Sequence, residues 1–163
     1  MPTAPLAPLE PEVARLIQDL RLAPHPEGGF YRETFRSPVL VPTQRGERST
    51  MTVIHFVLPA RAVSAFHRVL SDEAWVHSGG DELELHVVSP QGGHSTAVLG
   101  PGSHAVVPAG HWQAARPVGP RFAHVTCVVA PGFEFVDFEL VKRADLERKC
   151  PELPSDVLAL AMP

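Results

Sequence analysis

The sequence predicts an all-β domain of sandwich or barrel type, preceded by one short helix. Two observations predict it. From about residue 29 onward, short apolar segments recur at regular spacing, with Gly- and Pro-bearing turns between them. That is the pattern of an antiparallel sandwich or barrel. Within it, Leu83, Leu85 and Val87 alternate with Glu82, Glu84 and His86. One strand face therefore meets a core, and the other faces solvent or a cavity.

The elements follow in order. Residues 1–8 are rich in Pro and Ala and are expected to be poorly ordered, which leaves 9–163 as one domain. A helix is expected over roughly Glu10 to Arg21. Pro11 suits its first turn, and Val13, Leu16, Ile17 and Leu20 form one apolar stripe. Pro24 is read as its stop. Strands are expected at Gly29–Phe35, Ser49–Leu58, Ala74–Ser78, Leu83–Val88, Ser95–Leu99, His104–Val107, Gln113–Ala115, His124–Val129 and Phe133–Leu140. Turns at 90–93, 100–102 and 130–132 separate several of them. From Lys142 the composition returns to helix, interrupted by Pro151 and Pro154.

Composition excludes some classes of function. A 163-residue chain that is 44% hydrophobic can bury a core without metals or disulfides. A formal charge of −4 gives no footprint for nucleic acid. No run approaches the length of a membrane span, and the N-terminus does not resemble a signal peptide. Cys127 lies in an apolar strand and Cys150 in a polar tail. Two such cysteines make no disulfide framework, so a reduced, cytoplasmic setting is expected.

Two spaced motifs locate a pocket. The first is His67-Arg68-Val69-Leu70-Ser71-Asp72-Glu73 with Gly80, or H-x5-E-x6-G. The second runs from Gly102 through Pro108 and Gly110 to Gln113, or G-x5-P-x-G-x2-Q. They resemble the two signature motifs of the cupin superfamily, with Val69 and Gln113 where two imidazole ligands usually stand. The stretches Pro24-His25-Pro26-Glu27-Gly28-Gly29-Phe30-Tyr31-Arg32-Glu33, Ser71-Asp72-Glu73-Ala74-Trp75 and Ala130-Pro131-Gly132-Phe133 resemble one branch of it, the DUF985 or cupin_5 group. The resemblance spans nearly the whole chain. It implies a double-stranded β-helix, or jelly-roll barrel, and a homodimer. It implies no established reaction.

In a jelly roll every second strand residue points inward, so His67 and Val69 share a face. His67, Glu73 and Gln113 would offer one nitrogen and two oxygens. That is one imidazole short of the iron-oxygenase triad, so no cofactor is required, and weak Zn, Ni or Mn binding is left open. Without metal, a His beside a carboxylate works as a general base. Jelly-roll sugar-nucleotide epimerases use a His–Asp pair in this way. On that fold-level likeness His67 is the candidate base, with Glu73, Asp72 or Asp137 as orienting partner and Tyr31 as acid. Arg32, Glu33, Trp75, His86, Trp112 and Gln113 are the candidate ligand-binding residues, and Arg116 is a candidate anion handle near the mouth. His25 and the remaining histidines are read as surface or structural. Gly28-Gly29 is read as a turn.

Three functions are therefore carried forward. They are a metal-independent isomerase- or epimerase-like enzyme, a metal-binding cupin enzyme, and a non-catalytic module for a carbohydrate or nucleotide. In each the partner is a small molecule, such as a nucleotide sugar.

Overall fold

The computed structural model describes residues 9–163. Its elements are α1 (Pro11–Asp19), β1 (Ala23–Pro24), β2 (Phe30–Arg36), β3 (Leu40–Thr43), β4 (Gly46–Ser49), β5 (Thr52–Leu58), β6 (Ser64–Val69), β7 (Asp72–Gly80), β8 (Leu83–Val88), β9 (His94–Leu99), β10 (His104–Val107), β11 (Trp112–Pro117), β12 (Ala123–Ala130), a 3-10 turn (Phe135–Asp137), β13 (Phe138–Leu140), α2 (Arg143–Lys149) and α3 (Ser155–Leu158). Residues 1–8, expected to be poorly ordered, lie outside the described part.

Two antiparallel sheets face each other. One has the order β1-β2-β5-β12-β7-β10 and the other β13-β6-β11-β8-β9, with β3-β4 as a separate hairpin. This is the jelly-roll barrel. Inward positions follow the strand alternation, broken by bulges between Glu33 and Phe35 and between Gln113 and Ala115. Along β12, Ala123, Val125, Cys127 and Val129 are buried and alternate with more exposed neighbours. Phe56, Leu58, Trp75, Leu83, Leu85, Leu99 and Val125 fill one end of the barrel. The other end is open, and its inward side chains include the polar Glu27, His67 and Glu73.

The outer faces are covered unequally. Phe66, Val88, Trp112 and Ala114 pack under the C-terminal tail through Leu146, Cys150, Val157 and Leu160. On the opposite sheet, Val13 of α1 and Leu22 just beyond it cover Val57 and Phe122. No helix among the described residues is long and apolar enough to cross a membrane.

Several expectations need correction. The helix ends at Asp19, before Pro24, and Arg21 takes a left-handed φ of 54°. The β3-β4 hairpin and β6 stand where no strand was assigned from the apolar pattern. The hairpin is mostly polar, and Ser64–Val69 carries the polar His67 and Arg68 within it. The segment 133–140 is a loop and a 3-10 turn with only three strand residues. Cys150 is buried in the tail core, its thiol donating to the Gly92 carbonyl oxygen at 3.0 Å.

Candidate functional site

The open end of the barrel holds a cavity of about 370 Å³, within the range of small-molecule sites. Ile54 and Phe56 of β5, Val69 of β6, Val129 of β12, and Phe133 and Phe135 beyond it form apolar walls. Glu27, His67 and Glu73 sit on the floor, all at most 8% exposed. Tyr31 and Glu33 of β2 also line it, with Arg21, Arg32 and Arg36 toward the mouth.

Glu27 is placed by glycine. Gly28 adopts φ 111°, and a Cβ there would lie 2.1 Å from the Val63 carbonyl oxygen; Gly29 adopts φ 71°, and a Cβ there would lie 2.7 Å from the Val57 carbonyl oxygen. Only glycine fits both positions. The turn therefore presses flat against the start of β6, where the Glu27 carbonyl oxygen accepts from Ala65 N–H at 2.7 Å. This drives the Glu27 side chain inward. Its Oε1 accepts from the Ser64 hydroxyl at 2.7 Å.

Glu27 Oε2 stands 3.1 Å from His67 Nε2. His67 Nδ1 is 2.8 Å from the Ala65 carbonyl oxygen. A carbonyl only accepts, so Nδ1 carries a proton and neutral His67 presents a lone pair at Nε2. The short contact then requires a proton on Glu27. Electrostatics agree. Burial pushes the Glu27 pKa up to about 8, against the opposing Ser64 hydrogen bond. Burial also lowers that of His67, although Glu73 and the Ala65 carbonyl act the other way. His25 accepts the Glu27 backbone N–H at Nδ1, 3.2 Å away, and burial, with His67 beside it, takes its pKa down to about 4.

Glu73 projects from β7. Burial raises its pKa to about 7, with His67 opposing and Glu27 adding to the rise. Its Oε2 accepts from Gln113 Nε2 at 2.6 Å, and Gln113 Oε1 accepts from Trp75 Nε1 at 2.8 Å. The indole can only donate, which fixes the amide orientation. Cys127 lines the same cavity. Burial and then Glu73 and Glu27 hold its thiol protonated.

The structure brings His67, Glu73, Tyr31, Glu33 and Arg32 to one cavity. Gln113 and Trp75 stand behind Glu73 rather than on the lining. Other candidates lie elsewhere. Asp137 is ion-paired with Arg48 Nε at 2.8 Å and with Arg45; it fastens the β3-β4 hairpin to the 3-10 turn. Trp112 faces the outer tail core, beneath the Arg68 guanidinium. His86 lies on the outer face of β8, beside Arg116 of β11, which is paired with Glu84 and Asp156.

Glu27 and His25 were missed as site residues. The signal was an acidic residue directly before Gly28-Gly29, a pair that here marks a forced close approach rather than a free turn.

The three donors expected for a metal do not fit one. Gln113 Oε1 already takes the Trp75 N–H, its Nε2 holds Glu73, and His67 Nε2 is turned on Glu27.

Comparison with known proteins is consistent with this architecture. A family model described as Cupin superfamily (DUF985), Cupin_5, matches residues 14–141. A hypothetical protein from Leishmania major is 29% identical with a TM-score of 0.84, over 92% of this chain and 98% of that one. A Shewanella oneidensis protein is 34% identical with a TM-score of 0.83, over 91% and 96%. Oxalate decarboxylase from Bacillus subtilis shares only the fold, at 17% identity and a TM-score of 0.58; 83% of this chain matches 32% of that one. No curated protein matches significantly.

Proposed function

This chain belongs to the Cupin_5 (DUF985) family of the cupin superfamily, and on that premise we propose that its pocket is an acid–base site. It isomerises or epimerises a small carbohydrate-like carbonyl compound by moving a proton next to the carbonyl. One observation carries the reading. Two buried carboxyls with pKa values near 7 and 8 share a cavity with a neutral imidazole. Such a shift needs one group that takes a proton and one that gives it, each poised near the working pH.

In this reading ionised Glu73 removes the proton. The Glu27–His67 couple, which holds one proton between Oε2 and Nε2, supplies a proton to the developing enolate. Gln113 keeps the Glu73 carboxyl aimed by binding Oε2, and the apolar walls exclude water. Arg32 donates only to the Leu20 carbonyl oxygen, at 3.3 Å. Among the described residues neither Arg21 nor Arg32 joins an ion pair, so the mouth suits a ligand with an anionic group, such as a nucleotide sugar. Arg36 is already held by Glu33 and Glu134.

The test is proton exchange in D₂O against a panel of keto sugars, sugar phosphates and nucleotide sugars, read by NMR. Deuterium incorporation that is lost in Glu73→Gln and Glu27→Gln supports the reading. Saturable binding with no exchange identifies a non-catalytic binding module instead.

We also propose pairing as a homodimer. Phe35, Val76 and Val106 are 45%, 38% and 58% exposed on the outward face of the β2–β10 sheet, an apolar surface suited to self-association. A monomer by light scattering at micromolar concentration would contradict it.

A further inference from the structure

Outside the barrel, on the hairpin of β8 and β9, three donor atoms form a nearly equilateral triangle. His86 Nδ1 is 3.2 Å from His94 Nε2 and 3.2 Å from Thr96 Oγ1, and Thr96 Oγ1 is 3.4 Å from His94 Nε2. The strand register dictates this placement. His86 pairs directly with Thr96 across the hairpin, and His94 lies two residues before Thr96 on the same face.

From these atoms we propose a site for a divalent transition-metal ion, of the Zn²⁺, Ni²⁺ or Cu²⁺ class, at His86, His94 and Thr96. A tetrahedral ion about 2.0–2.1 Å from each of two imidazole nitrogens sets them roughly 3.3 Å apart. The triangle already has that edge. Imidazole nitrogen suits these metals.

A second observation concerns tautomers. His86 is 3% exposed, and Glu84 Oε2 stands 3.0 Å from its Nε2. The carboxylate lies off the N–H axis, so Nε2 has no well-aligned hydrogen bond. A carboxylate oxygen that close still requires the proton on Nε2, because two lone pairs would repel. Nδ1 therefore keeps its lone pair, aimed at His94 and Thr96. A carboxylate behind a metal-binding imidazole orients it in this way. Arg116 holds that carboxylate in turn, at 2.6 Å.

Without metal, His94 Nε2–H donates to His86 Nδ1. On binding, the His94 proton moves to its own Nδ1, and the exposed ring exchanges it through water. No net proton is released from the two neutral rings. Water completes the coordination. Among the described residues no three His, Cys, Asp or Glu side chains converge on one point, so this two-imidazole site is weaker than a structural zinc centre. The ion ties the edge strand β9 to β8.

The test is titration of the tag-free, metal-stripped full chain with Zn²⁺ by calorimetry, beside His94→Ala, Thr96→Val, Glu84→Gln and His124→Ala. His94 and Thr96 are exposed on an edge strand, so their variants are expected to fold. One Zn²⁺ per chain is expected, weakened more than about tenfold in His94→Ala, the scale of losing even an indirect partner of a ligand. Smaller losses are expected in Thr96→Val and Glu84→Gln. His124→Ala removes a different close histidine pair, His55 Nδ1 and His124 Nε2 at 3.0 Å, and is expected to change nothing. Absence of binding at millimolar Zn²⁺, or binding unchanged in His94→Ala, overturns the proposal.

Discussion

Glu27 Oε2 and His67 Nε2 stand 3.1 Å apart, and the other nitrogen of that ring is committed to the Ala65 carbonyl. A single proton is therefore shared between a carboxyl and an imidazole in the floor of the pocket. With Glu73 across the cavity, the site holds two carboxyls whose protons are exchangeable near neutral pH.

Stability is expected to fall between about pH 6.5 and pH 8. Glu27 and Glu73 have folded pKa values of about 8 and about 7, above the ordinary 4.5. Their stabilisation is full below pH 4.5 and is lost as pH rises through those values. His25 and His124 are lowered from 6.5 to about 4, so their contribution is present above pH 6.5 and fades as pH falls toward 4. The two sets oppose each other below 6.5, and above it the carboxyls act alone. The slope is at most about 1.4 kcal/mol per pH unit for each carboxyl. Urea unfolding at pH 6.5 and pH 8 reads it, and Glu27→Gln should flatten it. A wild type whose stability stays level or rises over that interval would refute this assignment.

Asp137→Asn is expected to lower stability while leaving ligand affinity intact. Its carboxylate is 4% exposed and bound by Arg48 and Arg45, and it lies off the pocket lining. Breaking such a pair costs about 2–4 kcal/mol, below a fully enclosed pair because Arg45 is 22% exposed. Thermal denaturation and a binding isotherm measured together separate this from a catalytic role. A kinetic defect without loss of stability would contradict it.

Gly28→Ala is expected to cost more than about 3 kcal/mol. The new Cβ would meet the Val63 carbonyl oxygen at 2.1 Å in a backbone of φ 111°. A variant as stable as wild type would show that the turn does not press on β6.

Gln113→Leu is expected to destabilise by about 1–3 kcal/mol. It leaves the Trp75 N–H and one oxygen of Glu73 without partners in a buried site. It also removes a hydrogen bond that holds the Glu73 pKa down, so that pKa should rise. An unchanged Glu73 titration would argue against the amide bridge.

The fold was legible because inward parity is written into strands such as Leu83–Val88, and because the two motifs fix where the chain turns. The β3-β4 hairpin was not, since its placement depends on Arg45 and Arg48 meeting Asp137, nearly ninety residues away. His67 and Glu73 were legible by spacing. Glu27 was not, because its inward direction comes from the close approach of Gly28 to Val63, which the Gly28-Gly29 pair marks only once the partner strand is placed. Trp112 and His86 lie off the pocket lining for one reason. Each shares the parity of the outer face, and the C-terminal tail that buries Trp112 leaves no mark in the strand itself.

The acid–base chemistry proposed for the pocket requires Glu27 and Glu73 to hold protons near neutral pH. Carbon-13 NMR of protein labelled at the glutamate carboxyl carbons, titrated from pH 4 to pH 9, tests it without knowledge of any substrate. Two resonances are expected to titrate near 7 and 8, one absent in Glu73→Gln and the other in Glu27→Gln. If every glutamate titrates in the ordinary range near 4.5, the pocket holds no such protons and the acid–base reading fails.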